Sequence, residues 1–379
     1  MVATPSDTDI VAFTEGGQAY LDAVDAGVVV FDGAMGTSLQ EAGLTADDFG
    51  GDDLDGCNEV LAVTRPDVLR AVHDSFFEVG CDVVETDTFG ANAIPLGEYG
   101  LEDRVEELNL AAVRVAREAA DHWTGTTGQR RFVAGSIGPG TKFPSLGQIT
   151  FDEMKAIYRE QAEALLRGGV DLLLIETVFD LLQMKSTFAA CREAMEATGI
   201  HVPIQAQVTI ELTGRMLPGT EINAALAAIE PLGPSVFGLN CATGPEEMSE
   251  HLRHLSAHAR VPISCIPNAG LPSVVDGEMH YDLTPEQLGA HQRRFVSELG
   301  VRVVGGCCGT TPQHLAAVVE AVRGIEPAER TPEHEPGAAS IYSHVPFAQD
   351  TSYLIIGERT NANGSKKFRE AMLEGDIDT

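Results

Sequence analysis

Val301-Arg302-Val303-Val304-Gly305-Gly306-Cys307-Cys308-Gly309 carries a β-branched apolar run straight into two adjacent cysteines framed by glycines. Seven similar runs precede it, at residues 28–35, 82–89, 131–138, 171–178, 203–210, 235–242 and 262–269. Each ends in a loop with Gly, Asp or Asn and leads into an amphipathic stretch, so the periodicity alternates between strand and helix. The helical stretches read as 66–79, 102–122, 151–167, 181–197, 222–229, 245–259, 285–299 and 312–322, several opened by a cap such as Thr284-Pro285 or Thr311-Pro312. Eight strand-helix units over this length predict a (β/α)8 TIM barrel. An open doubly wound sheet fits less well, because no GxGxxG follows the first strand and because a closed barrel brings Cys241, ending the sixth run, near Cys308, ending the eighth.

A chain of 379 residues with 44% apolar and 22% charged residues has a globular composition and room for a large core. Its acidic start, Met1-Val2-Ala3-Thr4-Pro5-Ser6-Asp7, has no basic region or apolar core of a signal peptide, and no apolar run approaches a membrane span. A soluble cytoplasmic protein is expected. The net charge of -32 lacks a compensating basic patch, which argues against nucleic acid and anionic membranes as partners.

Seven cysteines is an odd number, and Cys57, Cys81, Cys191 and Cys265 lie scattered in ordinary segments, so no disulfide framework is expected. Cys241, Cys307 and Cys308 differ: all three stand at strand ends, at the face where barrel active sites sit. Neighbouring strand residues point to opposite faces. Cys307 and Cys308 reach one ion only if the strand breaks, which Gly305, Gly306 and Gly309 permit. Buried small hydrophobes and a vicinal disulfide are the alternatives. Three thiolates with a vacant fourth position describe catalytic zinc. An external thiol placed there loses its proton and, on an electron-rich ion, stays nucleophilic, which favours alkyl transfer to sulfur over hydrolysis.

The first run enters Asp32-Gly33-Ala34-Met35-Gly36-Thr37, whose small residues let backbone amides approach an anion such as a carboxylate. Asp32 and Glu176 are acids at the mouth, placed to meet a substrate ammonium. Thr86, Asp87, Phe89, Asn92, Asn240 and Asn268 complete the expected mouth. His251, His254 and His258 share one helical face and read as solvated surface.

After Gly324 the chain turns charged, Pro-rich and aperiodic, a linker over 326–350. Tyr353-Leu354-Ile355-Ile356-Gly357-Glu358-Arg359-Thr360-Asn361-Ala362-Asn363-Gly364-Ser365 then begins something new that stops at Thr379. The expected organisation is an N-terminal extension (1–26), a zinc barrel (27–325), the linker, and the truncated start of a second barrel (351–379), the whole being an N-terminal fragment of a longer protein.

Asp32-Gly33-Ala34-Met35-Gly36-Thr37, Glu85-Thr86-Asp87-Thr88-Phe89-Gly90-Ala91-Asn92, Gly238-Leu239-Asn240-Cys241 and Gly305-Gly306-Cys307-Cys308-Gly309 together resemble the homocysteine S-methyltransferase family. The resemblance implies that Cys241, Cys307 and Cys308 hold zinc and that homocysteine supplies the thiol and becomes methionine. Asp32 and Glu176 would take its amino group, with Gly33, Ala34 and Met35 near its carboxylate. Thr86, Phe89, Asn92, Asn240 and Asn268 would be further substrate contacts. Family branches use betaine, S-methylmethionine or methylcobalamin as methyl donor. The segment from Tyr353 is similar to the opening of the methyltetrahydrofolate-binding (pterin) barrel of the cobalamin-dependent branch. That implies methylcobalamin as donor, with cobalamin-binding and folate-binding domains as partners. No Asp-x-His-x-x-Gly is present, so cobalamin would be bound mainly by segments absent here. A stand-alone betaine or S-methylmethionine enzyme is the alternative. A structural zinc module, closed by Cys57 or Cys265, is the alternative from another class.

Overall fold

The computed structural model describes residues 12–275, 278–351, 353–354 and 361–376. Residues 355–360, central to the expected second barrel, and 1–11 of the expected extension lie outside the described residues. Eight parallel strands form one sheet: β1 (Val29–Val30), β2 (Val83–Glu85), β3 (Phe132–Ile137), β4 (Leu172–Val178), β5 (Ile204–Val208), β6 (Val236–Asn240), β7 (Ile263–Ile266) and β8 (Val303–Val304). β1 pairs with β8 through Val29↔Val303 and Val30↔Val304. A parallel bridge between Phe31 and Val83 joins β1 to β2 and closes the barrel.

The helices keep close to their sequence boundaries, for example Pro66–Glu78, Phe151–Gly168, Leu181–Thr198, Pro285–Leu299 and Pro312–Val322. Local chemistry explains this. Thr150 and Glu153 form a capping box, as do Thr284 and Gln287, and the His314 ring accepts the Thr311 amide at 3.2 Å. Strands are shorter than their apolar runs. In the run 301–308 the strand is only Val303 and Val304; Arg302 reaches back to the base helix at Val24 O and Asp25 O, and residues 305–308 curl over the mouth.

The barrel interior is packed by Val29, Phe31, Val83, Phe132, Leu172, Leu174, Val236 and Val303, while a larger apolar layer lies between sheet and helices. Within the expected N-terminal extension, helix Glu15–Ala26 plugs the base of the barrel. Its Tyr20 is fully buried, stacks edge-on against Phe31 and Phe132, and donates to Gln205 Oε1 at 2.6 Å.

The Pro-rich stretch after Gly324 is a strap, docked rather than free. Arg330 donates to the carbonyls of Leu255 (3.3 Å), Ala259 (2.9 Å) and Val261 (2.6 Å), at and just beyond the end of helix Pro245–His258. Gly337–Ala339 then pairs antiparallel with His344–Pro346, and the Glu221 amide donates to Tyr342 O at 2.8 Å. This strap revises the expectation for the histidine face. His254 and His258 are half-buried at its edge, their ring centres 4.5 Å apart, with His258 Nδ1 2.8 Å from Glu333 O.

Candidate active site

Cys241 follows β6 and takes a left-handed backbone, φ 60°, as do Ala242 (60°) and Thr177 (56°); these are the three such non-glycine residues among those described. Such backbones are costly without glycine and gather at functional sites. The turn swings Cys241 over the mouth, and its amide is held by Ile266 O at 3.1 Å. Cys307 and Cys308 hang from the loop after β7: Cys307 N donates to Pro267 O at 2.7 Å, and Cys308 O accepts from Ala269 N at 2.9 Å. Of the three glycines expected to break the strand, Gly309 alone has positive φ, at 76°. Gly305 and Gly306 are required by packing: a Cβ would lie 2.8 Å from Phe31 Cβ and 2.5 Å from Thr310 Oγ1 respectively.

The three sulfurs lie within 4.8 Å of one another, with Cys241–Cys308 at 3.8 Å and Cys307–Cys308 at 4.0 Å. A zinc–sulfur bond of about 2.3 Å in tetrahedral geometry puts sulfurs about 3.8 Å apart, so the trio fits zinc with little rearrangement. No fourth Cys, His, Asp or Glu joins the group among the described residues. Cys265 Sγ instead contacts Met248 Sδ at 3.9 Å, and Cys57 Sγ contacts Glu59 Oε2 at 3.7 Å. The closed structural site therefore lacks its fourth thiol.

Hydrogen bonds from Cys241 and Cys307, with a further one from Tyr281, hold the Cys308 thiol down at about 3. Cys241 is pushed up to about 12: its bond with Cys307 lowers it, but its bond to Cys308 and burial outweigh this. Cys307 is raised by its bonds to Cys241 and Cys308 and by burial. Among the three, Cys308 is therefore the thiol that ionises most readily. Zinc takes thiolates, so its affinity rises with pH as Cys241 and Cys307 give up their protons. Uptake at pH 7 is expected to release protons from Cys241 and Cys307, measured with an indicator dye in weak buffer; no release would mean that the trio is already ionised.

Below the thiols lies an acidic cavity of about 260 Å³ lined by Glu59, Glu85, Asp87 and Glu176, with no Lys, Arg or His in its wall. Glu176 Oε1 accepts from Ser136 Oγ at 2.6 Å, and its Oε2 accepts from Asn240 Nδ2 at 2.9 Å and Thr177 Oγ1 at 3.3 Å. Asn240 Oδ1 accepts the Thr177 amide at 2.8 Å, fixing that strained turn. Asp32 Oδ2 accepts the Glu85 amide at 3.1 Å, and Oδ1 is buried with no protein partner. Burial raises Asp32, Glu85, Asp87 and Glu176 above their usual range, and neighbouring carboxylates push the first three further.

Gly33, Ala34, Met35, Thr86, Phe89, Glu176 and the three cysteines line this cavity. The small-residue loop opens helix Met35–Glu41, whose first return bond runs from Ser38 N to Ala34 O. Asp32 and Asn240 stand just behind the wall, Asn240 acting through Glu176. Asn92 is turned to another task, its Oδ1 capping helix Ala93–Gly97 through the Ile94 amide at 3.1 Å. Asn268 is buried beside the cysteine loops, its amide bonded to Thr243 O at 3.1 Å and its Oδ1 without a protein partner. Glu85, Glu59 and Tyr281 were not expected. Glu85 is legible as a charged residue ending an apolar run. Tyr281 has no such signal, because it arrives on a hairpin, Pro272–Val275 with Glu278–Tyr281, and packs on Gly309, where a Cβ would meet its ring at 2.3 Å.

Residues 29–322 match the homocysteine S-methyltransferase family. A methionine synthase of Mycobacterium tuberculosis is 52% identical over 356 residues, covering 94% of this chain and 30% of the relative. That of Mycobacterium leprae is 52% identical over 354 residues, covering 92% and 29%. The chain thus spans about 30% of the length of these relatives. The metallated form of the Escherichia coli homocysteine methyltransferase MmuM aligns with a TM-score of 0.65 at 24% identity, over 80% of this chain and 99% of that one. Its apo form aligns with a TM-score of 0.62 at 23% identity, over 81% and 100%. At such identity the likeness speaks for the barrel fold.

Proposed function

The chain belongs to the homocysteine S-methyltransferase family, and from that premise we propose that it is the homocysteine-activating barrel of a cobalamin-dependent methionine synthase. The observation that carries this reading is the thiol trio opening into a cavity whose charged groups are all acidic. Cys241, Cys307 and Cys308 would hold zinc, which when bound supplies the Lewis acidity that keeps a substrate thiol deprotonated at neutral pH.

The chain's own residues orient the substrate. The ammonium of homocysteine pairs with Asp32 and Glu176, whose charges have no other cation in the wall. Its carboxylate meets the amides that open helix Met35–Glu41. Ser136, Thr177 and Asn240 hold Glu176 in place. The sulfur then lies at the thiol end, aligned for attack on a methyl group, and such alignment lowers a barrier by several kcal/mol. Methylcobalamin is the donor, brought by cobalamin-binding and folate-binding domains outside this sequence. In support, the loops of this face expose Phe89, Leu146, Leu212, Leu217 and Val274, an apolar rim suited to a docking domain. No helix among the described residues is long and apolar enough to cross a membrane. A cytoplasmic location accords with seven free cysteines.

The test offers the zinc-loaded chain homocysteine with methylcobalamin, S-methylmethionine or betaine in turn. Methionine is expected from methylcobalamin. Methionine formed only from the sulfonium or betaine would transfer the chain to another branch, and none from any donor would refute the reading.

A further inference from the structure

A second cavity, of about 280 Å³, lies between the strap and helices Ile222–Ile229 and Pro245–His258. Four imidazoles enter its wall, His254 and His258 from the helix and His334 and His344 from the strap, and none of them serves the proposed methyl transfer. His254 and His258 stand one turn apart on one helix face, their ring centres separated by 4.5 Å. Two imidazoles that bind one ion through bonds of about 2.1 Å bring their ring centres to about 4.5–5 Å. His258 Nδ1 lies 2.8 Å from Glu333 O; a carbonyl only accepts, so the proton sits on Nδ1 and Nε2 keeps its lone pair. A carbonyl or carboxylate on the far nitrogen is how histidine ligands are oriented toward a metal. His344 repeats the pattern: its side chain is 10% exposed, Nδ1 faces Glu335 Oε2 at 3.9 Å, and Nε2 is buried with no partner among the described residues. The guanidinium in the wall, that of Arg260, is answered by Glu230, which accepts from its amide at 2.5 Å and its Nε at 2.7 Å. His258 also ends its helix, where the backbone dipole favours a cation.

We propose that the strap and helix Pro245–His258 form a second metal site, in which His254, His258 and His344 bind a divalent ion of the zinc, nickel or copper class. Neutral imidazole suits these ions, whereas magnesium and calcium take oxygen ligands. Among the described residues no three imidazole nitrogens stand within one ion's reach, so binding turns the His344 ring off Gly337, against which it packs, and toward the helix pair. The ion then fastens the strap to the barrel. Tyr342 O accepts the Glu221 amide at 2.8 Å and Ile341 O accepts Thr220 Oγ1 at 2.5 Å, so a fastened strap also steadies the loop after β5 that carries the exposed Leu212 and Leu217. The site shares no ligand with the thiol trio and does not depend on the proposed function.

The test titrates Zn²⁺ by calorimetry into chain whose cysteine site is already filled with zinc, with Mg²⁺ as the contrast. Wild-type chain is expected to take one further equivalent of zinc at neutral pH and none of magnesium. The second equivalent should be lost as the pH falls through about 6.5, where imidazoles protonate. Its binding should raise the thermal midpoint and slow proteolysis of the strap. His254→Ala, which leaves the bond between His258 and Glu333 in place, and His344→Ala are each expected to weaken the second site by about tenfold or more. Zinc retained at the cysteines checks that both variants fold. Absence of a second equivalent in wild type, or an undiminished one in His254→Ala, overturns the site. An undiminished second equivalent in His344→Ala overturns the strap's share in it, and with it the fastening.

Discussion

Cys308→Ser is expected to strip the chain of stoichiometric zinc and to lower methyl transfer to homocysteine by more than about a hundredfold, beyond the range usual for second-shell changes. Cys308 is the vertex of the trio, 3.8 Å from Cys241 and 4.0 Å from Cys307, and it is the thiol that its neighbours push lowest. Removing it removes both a ligand and the charge around which the other two sulfurs are arranged. A serine hydroxyl is a harder donor that keeps its proton at neutral pH, so it does not substitute for a thiolate. Cys308 is partly exposed and outside the apolar core, so the thermal midpoint should change little. Zinc per chain by atomic absorption and methionine formation are the measurements. Full zinc content together with undiminished transfer would refute the thiolate site.

Gly238→Ala is expected to cost about 3 kcal/mol of stability or more, at the upper end of overpacking effects. Gly238 lies on β6 opposite Ser264 of β7, and a Cβ there would stand 2.1 Å from both the carbonyl and the hydroxyl oxygen of Ser264. Neither can retreat easily. The carbonyl belongs to the barrel sheet, and the hydroxyl accepts from Gln207 Nε2 at 3.1 Å inside it. A methyl group would wedge β6 from β7, and the same strand leads into Cys241. Urea unfolding should show a lower midpoint at nearly unchanged slope, accompanied by weaker zinc retention. An unchanged midpoint would mean that the barrel relaxes more freely than its packing indicates.

These two residues stand in the same short motif, Gly238-Leu239-Asn240-Cys241, and were legible to different degrees. Cys241 announces its chemistry by residue type and by its place after an apolar run. The need for glycine at 238 comes from Ser264, 26 residues away, and nothing local betrays it. Gly305 and Gly306 repeat the lesson: their composition suggested backbone freedom, whereas Phe31 and Thr310 occupy the space a side chain would need. Asn92 and Asn240 are equally plain as mouth residues in sequence, yet one caps a helix and the other braces Glu176. Polar loop residues have many local uses, and only their neighbours select one.

By itself the sequence determined the barrel and the thiol trio, since alternating strand and helix periodicity and capping boxes act within a few residues and thiolate chemistry belongs to the residue type. The helix boundaries follow accordingly, as at Pro285–Leu299 and Pro312–Val322. Tertiary structure alone decided that helix Glu15–Ala26 plugs the base, that the strap docks on helix Pro245–His258, and that Tyr281 reaches Cys308. It also decided that Asp32, Glu85 and Glu176, residues on three different strands or their ends, are buried together. The physical reason is that these outcomes depend on desolvation and on distances across a closed sheet, quantities that arise only when remote segments share one enclosed space.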